Sequence, residues 1–154
     1  MLCAFIILPF IFAFLLGISF FLKNTKHIRR ISKFLYFIQF IFSSIILLIG
    51  QKTSFTFLDI NFVLDKTACC FLFLISFIFF LFSIISKTFI KKLHRTFYAL
   101  SFLLLGLINF AIINDNILVF LVTLFWLFLT NYLLATLFSD SNTKKTIRFS
   151  YHVI

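Results

Sequence analysis

Between Ile117 and Phe138 the chain reads ILVFLVTLFWLFLTNYLLATLF, a run of 22 residues without a charged side chain. An α-helix rises about 1.5 Å per residue, so about 20 apolar residues are enough to cross the hydrocarbon core of a bilayer. This run is therefore predicted to be a transmembrane helix. Four further apolar runs precede it, at residues 2–22, 34–50, 67–86 and 96–113.

The composition excludes a water-soluble globular domain. Of 154 residues, 63% are hydrophobic and 12% are charged, and the mean hydropathy is +1.19, whereas soluble domains carry about 25% charged residues. We predict an all-α, multi-span membrane protein with about five transmembrane helices in one domain at residues 1–138. A short polar and amphipathic tail at residues 139–154 is expected to lie at the interface. Five helices enclose little interior, so other subunits or lipid should cover most of the surface.

The segments between the runs differ in character. Residues 23–33 are basic and are predicted to form a polar hinge, and residues 114–116 form a tight connection. Residues 51–66 mix polar and apolar types, and the alternation from Ser54 to Phe57 is typical of a strand. We expect a short strand or hairpin at the membrane surface there.

The basic residues predict an orientation. Twelve of the 14 Lys and Arg residues lie in the first loop, the third loop and the tail. Under the positive-inside rule this places the amino terminus outside and the carboxyl terminus on the inner, matrix face. The net charge of +10 is thereby explained without nucleic acid. The residues expected to contact lipid headgroups, such as those of cardiolipin, and to fix the orientation are Arg29, Arg30, Lys33, Lys91, Lys92 and Arg95.

No catalytic, cofactor-binding or metal site is predicted. Cys3, Cys69 and Cys70 have no metal-ligand spacing and are expected to be buried thiols. The three His residues belong to different basic segments, and no phosphate-binding glycine loop or pair of carboxylates is present.

The polar residues near the helices have structural interpretations. Asp65 and Asp115 each precede an apolar run, where a carboxylate can cap the helix and meet the positive end of its dipole. Gln39, Ser43 and Ser44 are expected to face neighbouring helices. Asn109, Thr130 and Asn131 are expected to form hydrogen bonds between helices, worth about 0.6 to 2 kcal/mol each.

Three motifs resemble the antiporter-like membrane subunits of respiratory complex I. Asp115-Asn116 opens the fifth run and Tyr132-Leu133-Leu134 closes it, as in that family, and Arg95 to Leu103 resembles the start of the preceding family helix. Leu64-Asp65-Lys66-Thr67 resembles the opening of an earlier one. The similarity covers about residues 55–138, and it fits the NADH dehydrogenase subunit 5 branch better than the subunit 2 or 4 branches.

Two departures from the family pattern bear on function. The membrane-buried Glu of the family falls on Phe125, and Trp126 sits one position late. In the family this Glu is coupled to a Lys of a later helix, and family members are about three or more times longer. The resemblance therefore implies the amino-terminal portion of such a subunit, without the Glu and Lys of the proton channel, and with its remainder encoded by a separate gene.

The expected function is structural. The resemblance implies a non-catalytic subunit in the membrane arm of the proton-pumping NADH:ubiquinone oxidoreductase, in the mitochondrial inner membrane. Its partners would be other membrane subunits, including a chain that completes the antiporter fold. The many Phe, Ile, Lys and Asn residues indicate an A/T-rich genome such as an organelle's. The alternatives are a scaffold subunit of another respiratory complex or of ATP synthase, and a self-sufficient transporter, which would normally need internal repeats and intramembrane polar sites.

Overall fold

The computed structural model describes residues 2–18, 25–49, 53–57, 60–89 and 94–138. They form five helices and one hairpin, and the predicted all-α, multi-span membrane class is confirmed. Four helices, the second to the fifth, are long and apolar enough to cross a membrane, and the first is a shorter apolar helix. The elements are α1 (Leu2–Ile18), α2 (Thr25–Ile49), β1 (Thr53–Phe57), β2 (Ile60–Leu64), α3 (Lys66–Phe89), α4 (His94–Ile113) and α5 (Ile117–Phe138).

Helix α4 is the central element of the bundle. It packs against α1, α2, α3 and α5, while α2 and α3 also pair along their length. Its apolar side chains Phe102, Leu105 and Ile113 are fully buried. The ring of Tyr36 from α2 stacks on Phe102, with centroids 3.9 Å apart and an interplanar angle of 10°. This stack joins α2 to the centre of the bundle.

The hairpin covers one end of the bundle. Its strands pair antiparallel, with Thr53 opposite Leu64, so the predicted strand or hairpin is confirmed. Phe62 and Leu64 point into the bundle and are buried with Ile46 and Ile113 in one apolar cluster. We call this the hairpin end, and the opposite end, where α2 and α4 begin, the basic end.

The predicted hinge at residues 23–33 is wrong from Thr25 onward, because α2 begins there. Lys and Arg have high helix propensity, and this stretch contains no Gly or Pro to interrupt a helix. One side of this segment also packs into the bundle, since Ile28 and Ser32 are buried while Arg30 and Ile31 are exposed. The other predicted bounds hold to within a few residues at each described helix end. The predicted tail at 139–154 lies outside the described residues.

Asparagine and aspartate side chains cap two helices at the hairpin end. The Asp65 carboxylate accepts a hydrogen bond from the backbone N–H of Ala68 at 2.7 Å, so the cap predicted for Asp65 is confirmed. The cap predicted for Asp115 is wrong, because the Asn116 side-chain oxygen accepts from the N–H groups of Leu118 and Val119. Asp115 lies one position too early in the chain, and its own N–H is bonded to the Asn61 carbonyl of β2 at 3.1 Å.

We expect Asn116→Ala to lower the free energy of unfolding by about 1 kcal/mol, because the first N–H groups of α5 lose their acceptor. The matched control is Asp115→Ala, which leaves those bonds intact and should cost only a few tenths of a kcal/mol. Denaturant unfolding of the purified chain in mixed micelles, followed by circular dichroism, measures both. A larger decrease in the free energy of unfolding for the Asp115 variant than for the Asn116 variant would show that the Asp115 carboxylate caps α5.

Candidate functional site

The interior of the bundle contains polar side chains, and these are the groups from which a functional site would have to be built. Every one of them is neutral, and no Asp, Glu, Lys, Arg or His side chain within the described part of the chain is fully buried. The set can therefore donate and accept hydrogen bonds, but it offers no acid or base in the usual pH range. Its members are Ser32, Gln39, Ser43, Ser76, Ser83, Ser86, Ser101, Asn109, Thr123 and Thr130.

Most of the buried hydroxyls are bonded within their own helix. Ser43 donates to the Phe40 carbonyl at 2.8 Å, and Thr130 donates to the Trp126 carbonyl at 2.8 Å. Ser83, Ser101 and Thr123 bond their own helices in the same way. The expected interhelical hydrogen bond is therefore wrong for Thr130. Ser44 also donates to the Phe40 carbonyl and is half-buried, while Ser43 is buried, as expected of a side chain that faces neighbouring helices. Asn131 is exposed. A hydroxyl bonded in this way can face an apolar neighbour at little cost.

A side-chain hydrogen bond joins α3 and α4 within the described core. The hydroxyls of Ser86 on α3 and Tyr98 on α4 are 2.8 Å apart, and both side chains are buried. Ser86 also donates to the Ser83 carbonyl at 2.9 Å. This contact fixes the last turns of α3 against the first turns of α4 near the basic end.

Gln39 and Asn109 are the most unusual members of the set. Gln39 is 1% exposed and Asn109 is 0% exposed, and both polar atoms of each amide lack a hydrogen-bond partner among the described residues. The hydroxyl of Ser76 is in the same situation, as is that of Ser32 nearer the basic end. A buried amide without a partner costs about 1 to 3 kcal/mol by protein mutational data.

Gln39 and Ser76 lie at the same depth. Ring contacts of Tyr36 with Phe79 and of Phe40 with Phe77 set the antiparallel register of α2 and α3, and this register brings Gln39 level with Ser76. Each is ten residues from the hairpin end of its helix, or about 15 Å, which is near the middle of a bilayer. Asn109 is only four residues from the end of α4, about 6 Å.

The family-motif positions do not converge on one site. Asp65, Asp115 and Asn116 lie together at the hairpin end, where they serve helix starts and the contact between β2 and the α4–α5 turn. Tyr132 is half-buried further along α5. Phe125, the position of the family Glu, is 65% exposed and points away from the bundle.

The basic residues predicted to contact lipid headgroups lie, where the structure describes them, toward the basic end of the bundle. Arg30 is exposed, and Arg29 and Lys33 are half-buried, all in the first turns of α2. Arg95 lies in the first turn of α4, which begins at the same end, although its side chain is not described. Lys91 and Lys92 lie outside the described residues.

Trp126 lines an apolar cleft that the sequence did not predict. The cleft has a volume of about 380 Å³ and lies between α1, α4 and α5, with Phe62 of β2 at the hairpin end. Trp126 is 51% exposed. No local sequence signal marks the cleft, because its lining comes from four separate elements.

The thiols and the other metal-ligating groups show no clustering. Cys69 is buried, but Cys70 is exposed, so the predicted burial is wrong for Cys70: consecutive residues of a helix point in different directions. The side chain of Cys3 is not described. Within the described ranges no three His, Cys, Asp or Glu residues come close enough to hold a metal ion.

No protein-family profile matches the chain, and no curated protein matches it. The resemblance to antiporter-like subunits therefore depends on the motifs quoted above and stays a prediction.

We expect Gln39→Met to raise the free energy of unfolding by about 1 to 3 kcal/mol, since it replaces an unpartnered buried amide by an apolar side chain of similar shape. Ser43→Ala is the matched control on the same buried stripe of α2. Its hydroxyl is already bonded, and its loss should change stability by less than about 1 kcal/mol. Unfolding in mixed micelles measures both, and destabilisation by Gln39→Met would show that the amide has a polar partner.

A double-mutant cycle tests the bond between α3 and α4. Ser86→Ala and Tyr98→Phe each remove one hydroxyl, and the coupling free energy between them should be about 0.6 kcal/mol or more. The same cycle with Ser83→Ala in place of Ser86→Ala provides the control. Coupling of the same size in both cycles would mean that the Ser86–Tyr98 contact contributes nothing specific.

Proposed function

We propose that this chain is a non-catalytic scaffold subunit of a larger membrane assembly. The observation that carries the proposal is the outer face of α5, which we define as Leu118, Leu121, Phe125 and Phe128. These side chains recur at helical spacing on one side of α5, and each is more than half exposed. Thr123 and Thr130 on the opposite side face the bundle and are buried. The described residues of the chain leave this apolar face uncovered.

The partner that fits the outer face of α5 is another set of apolar helices. In the family that the sequence resembles, the Glu that falls on Phe125 is coupled to a Lys of a later helix. We therefore propose that the remaining helices of an antiporter-like subunit, carried by a separate chain, pack on this face. The assembly would be the membrane arm of the proton-pumping NADH:ubiquinone oxidoreductase in the mitochondrial inner membrane.

The neutral interior supports a structural role within such an assembly. An ionisable residue inside a membrane normally marks an ion path. The buried polar groups of this chain are hydroxyls and amides, and Phe125 occupies the position of the family Glu. The alternative assembly is another respiratory complex or ATP synthase, in which the same face of α5 would meet different helices.

Size-resolved mass spectrometry of mildly solubilised native membranes tests the assembly. We expect the 18.2 kDa chain to comigrate with NADH-oxidising activity and with a chain that carries the later antiporter helices. Comigration with another respiratory complex alone would reject the complex I assignment while leaving the scaffold role. Migration as a free monomer would reject both the complex I assignment and the scaffold role.

Site-specific photocrosslinking tests the proposed interface. A photoreactive phenylalanine analogue at position 125 should crosslink to the partner chain in the intact assembly. The matched control is the same analogue at position 102, because Phe102 is 0% exposed and should give only crosslinks within the chain. Equal yields of partner crosslinks at both positions, or none at position 125, would show that the outer face of α5 is not the interface with the partner chain.

A further inference from the structure

The cleft beside Trp126 is a groove between two helices that both pack on a third. Leu107 and Phe110 of α4 form its floor, Phe10 lies on the α1 side, and Val122 and Trp126 lie on the α5 side. The groove is open on the remaining side. Its volume, about 380 Å³, falls within the range of small-molecule sites, about 300 to 1,000 Å³.

The position of the cleft restricts what can enter it. Val122 and Trp126 follow the start of α5 at Ile117 by five and nine residues, or about 8 and 14 Å. The hydrocarbon of one leaflet is about 15 Å deep, half of the bilayer core. The cleft thus runs along the hydrocarbon depth of the leaflet at the hairpin end, where the surrounding medium consists of acyl chains.

The lining offers a polar ligand almost nothing to bind. Among the described lining side chains only Thr123 and Trp126 carry a polar atom. The Thr123 hydroxyl is already used, because it donates to the Val119 carbonyl at 2.7 Å. A polar or charged ligand would lose its hydration here and could gain little beyond a hydrogen bond from the Trp126 indole N–H, at a net cost of several kcal/mol. A hydrocarbon occupant loses nothing.

We propose that the cleft binds one acyl chain of a phospholipid from the leaflet at the hairpin end. The chain enters from the open side, lies on Leu107 and Phe110, and contacts the indole of Trp126. Without an occupant, the side chains that line the cleft would have no packing partners on that side, and close-packed proteins contain few such voids. The site uses a different side of α5 from the outer face, so lipid and a partner chain can be bound at the same time. The proposal does not depend on which assembly contains the chain.

Trp126 is the single tryptophan of the protein, so intrinsic fluorescence reports on this cleft alone. The full chain is reconstituted into phosphatidylcholine vesicles, and part of the lipid is replaced by phosphatidylcholine brominated in the distal half of one acyl chain. Bromine quenches tryptophan only at contact distance. We expect strong quenching of Trp126 in the wild-type chain.

Two neighbouring substitutions separate a chain bound in the cleft from lipid around the protein. Val122→Phe adds a ring inside the cleft and should reduce the quenching by about half or more, because the ring takes volume that the acyl chain would fill. Leu121→Phe makes a comparable change on the outer face of α5 and should leave the quenching unchanged. Equal quenching in all three proteins, or none in the wild type, would overturn the proposal; the second result would mean that the cleft is closed or filled by a second copy.

Native mass spectrometry in mild detergent provides the independent measurement. The wild-type chain and the Leu121→Phe variant should retain one phospholipid, and the Val122→Phe variant should lose it. If Val122→Phe does not fold, Leu107→Phe obstructs the same cleft from the α4 side and replaces it. Retention of phospholipid by a folded, obstructed variant to the same extent as the wild type would overturn the proposal even if quenching falls, because the added ring would then only shield Trp126.

Discussion

The need to hydrogen-bond every backbone N–H and C=O group inside hydrocarbon is the constraint on which the rest of this structure depends. Water is absent there, so each segment that crosses must be a helix, and each helix end needs acceptors or donors nearby. At the hairpin end these come from Asp65, Asn116 and the edge of β2, whose Asn61 carbonyl accepts the Asp115 N–H. The two-stranded hairpin thus completes the backbone hydrogen bonding of the α4–α5 turn as well as covering the core.

Packing inside the bundle follows from the same environment. Lipid tails are as apolar as Leu, so helices associate through close contact and not through the hydrophobic effect. Rings and small residues provide that contact here. Tyr36 stacks on Phe102. At Gly106 an added Cβ would lie only 3.1 Å from the ring of Phe10, so the absence of a side chain there lets α1 approach α4 closely. Serines are also small, and those whose hydroxyls donate to carbonyls of their own helix can lie at a contact between helices.

The helices and the hairpin could be predicted because long charge-free runs and a short alternating segment carry their own signals. The start of α2 could not, since Lys and Arg suit a loop and a helix equally well until the buried positions of Ile28 and Ser32 are known. Asp115 and Asn116 are both good capping residues, and only the backbone bond from Asp115 to β2 decides between them. The cleft depends on how α1 and α5 are placed on α4, which no local pattern encodes.

The charge-free interior has a consequence for a subunit in an energised membrane. Moving one elementary charge across a potential of 100 mV changes the free energy by about 2.3 kcal/mol, comparable to the strength of several helix contacts. The buried groups of the described bundle are hydroxyls, amides and rings, and its described charged side chains lie at or near the helix ends. The described buried contacts of α2, α3 and α4 therefore contain no net charge on which the membrane potential could act. The unpartnered amides of Gln39 and Asn109 lower stability, but they carry no net charge on which the field could act. A described interior without net charge would suit the scaffold role proposed above, because its packing contacts would not change when the potential across the membrane changes.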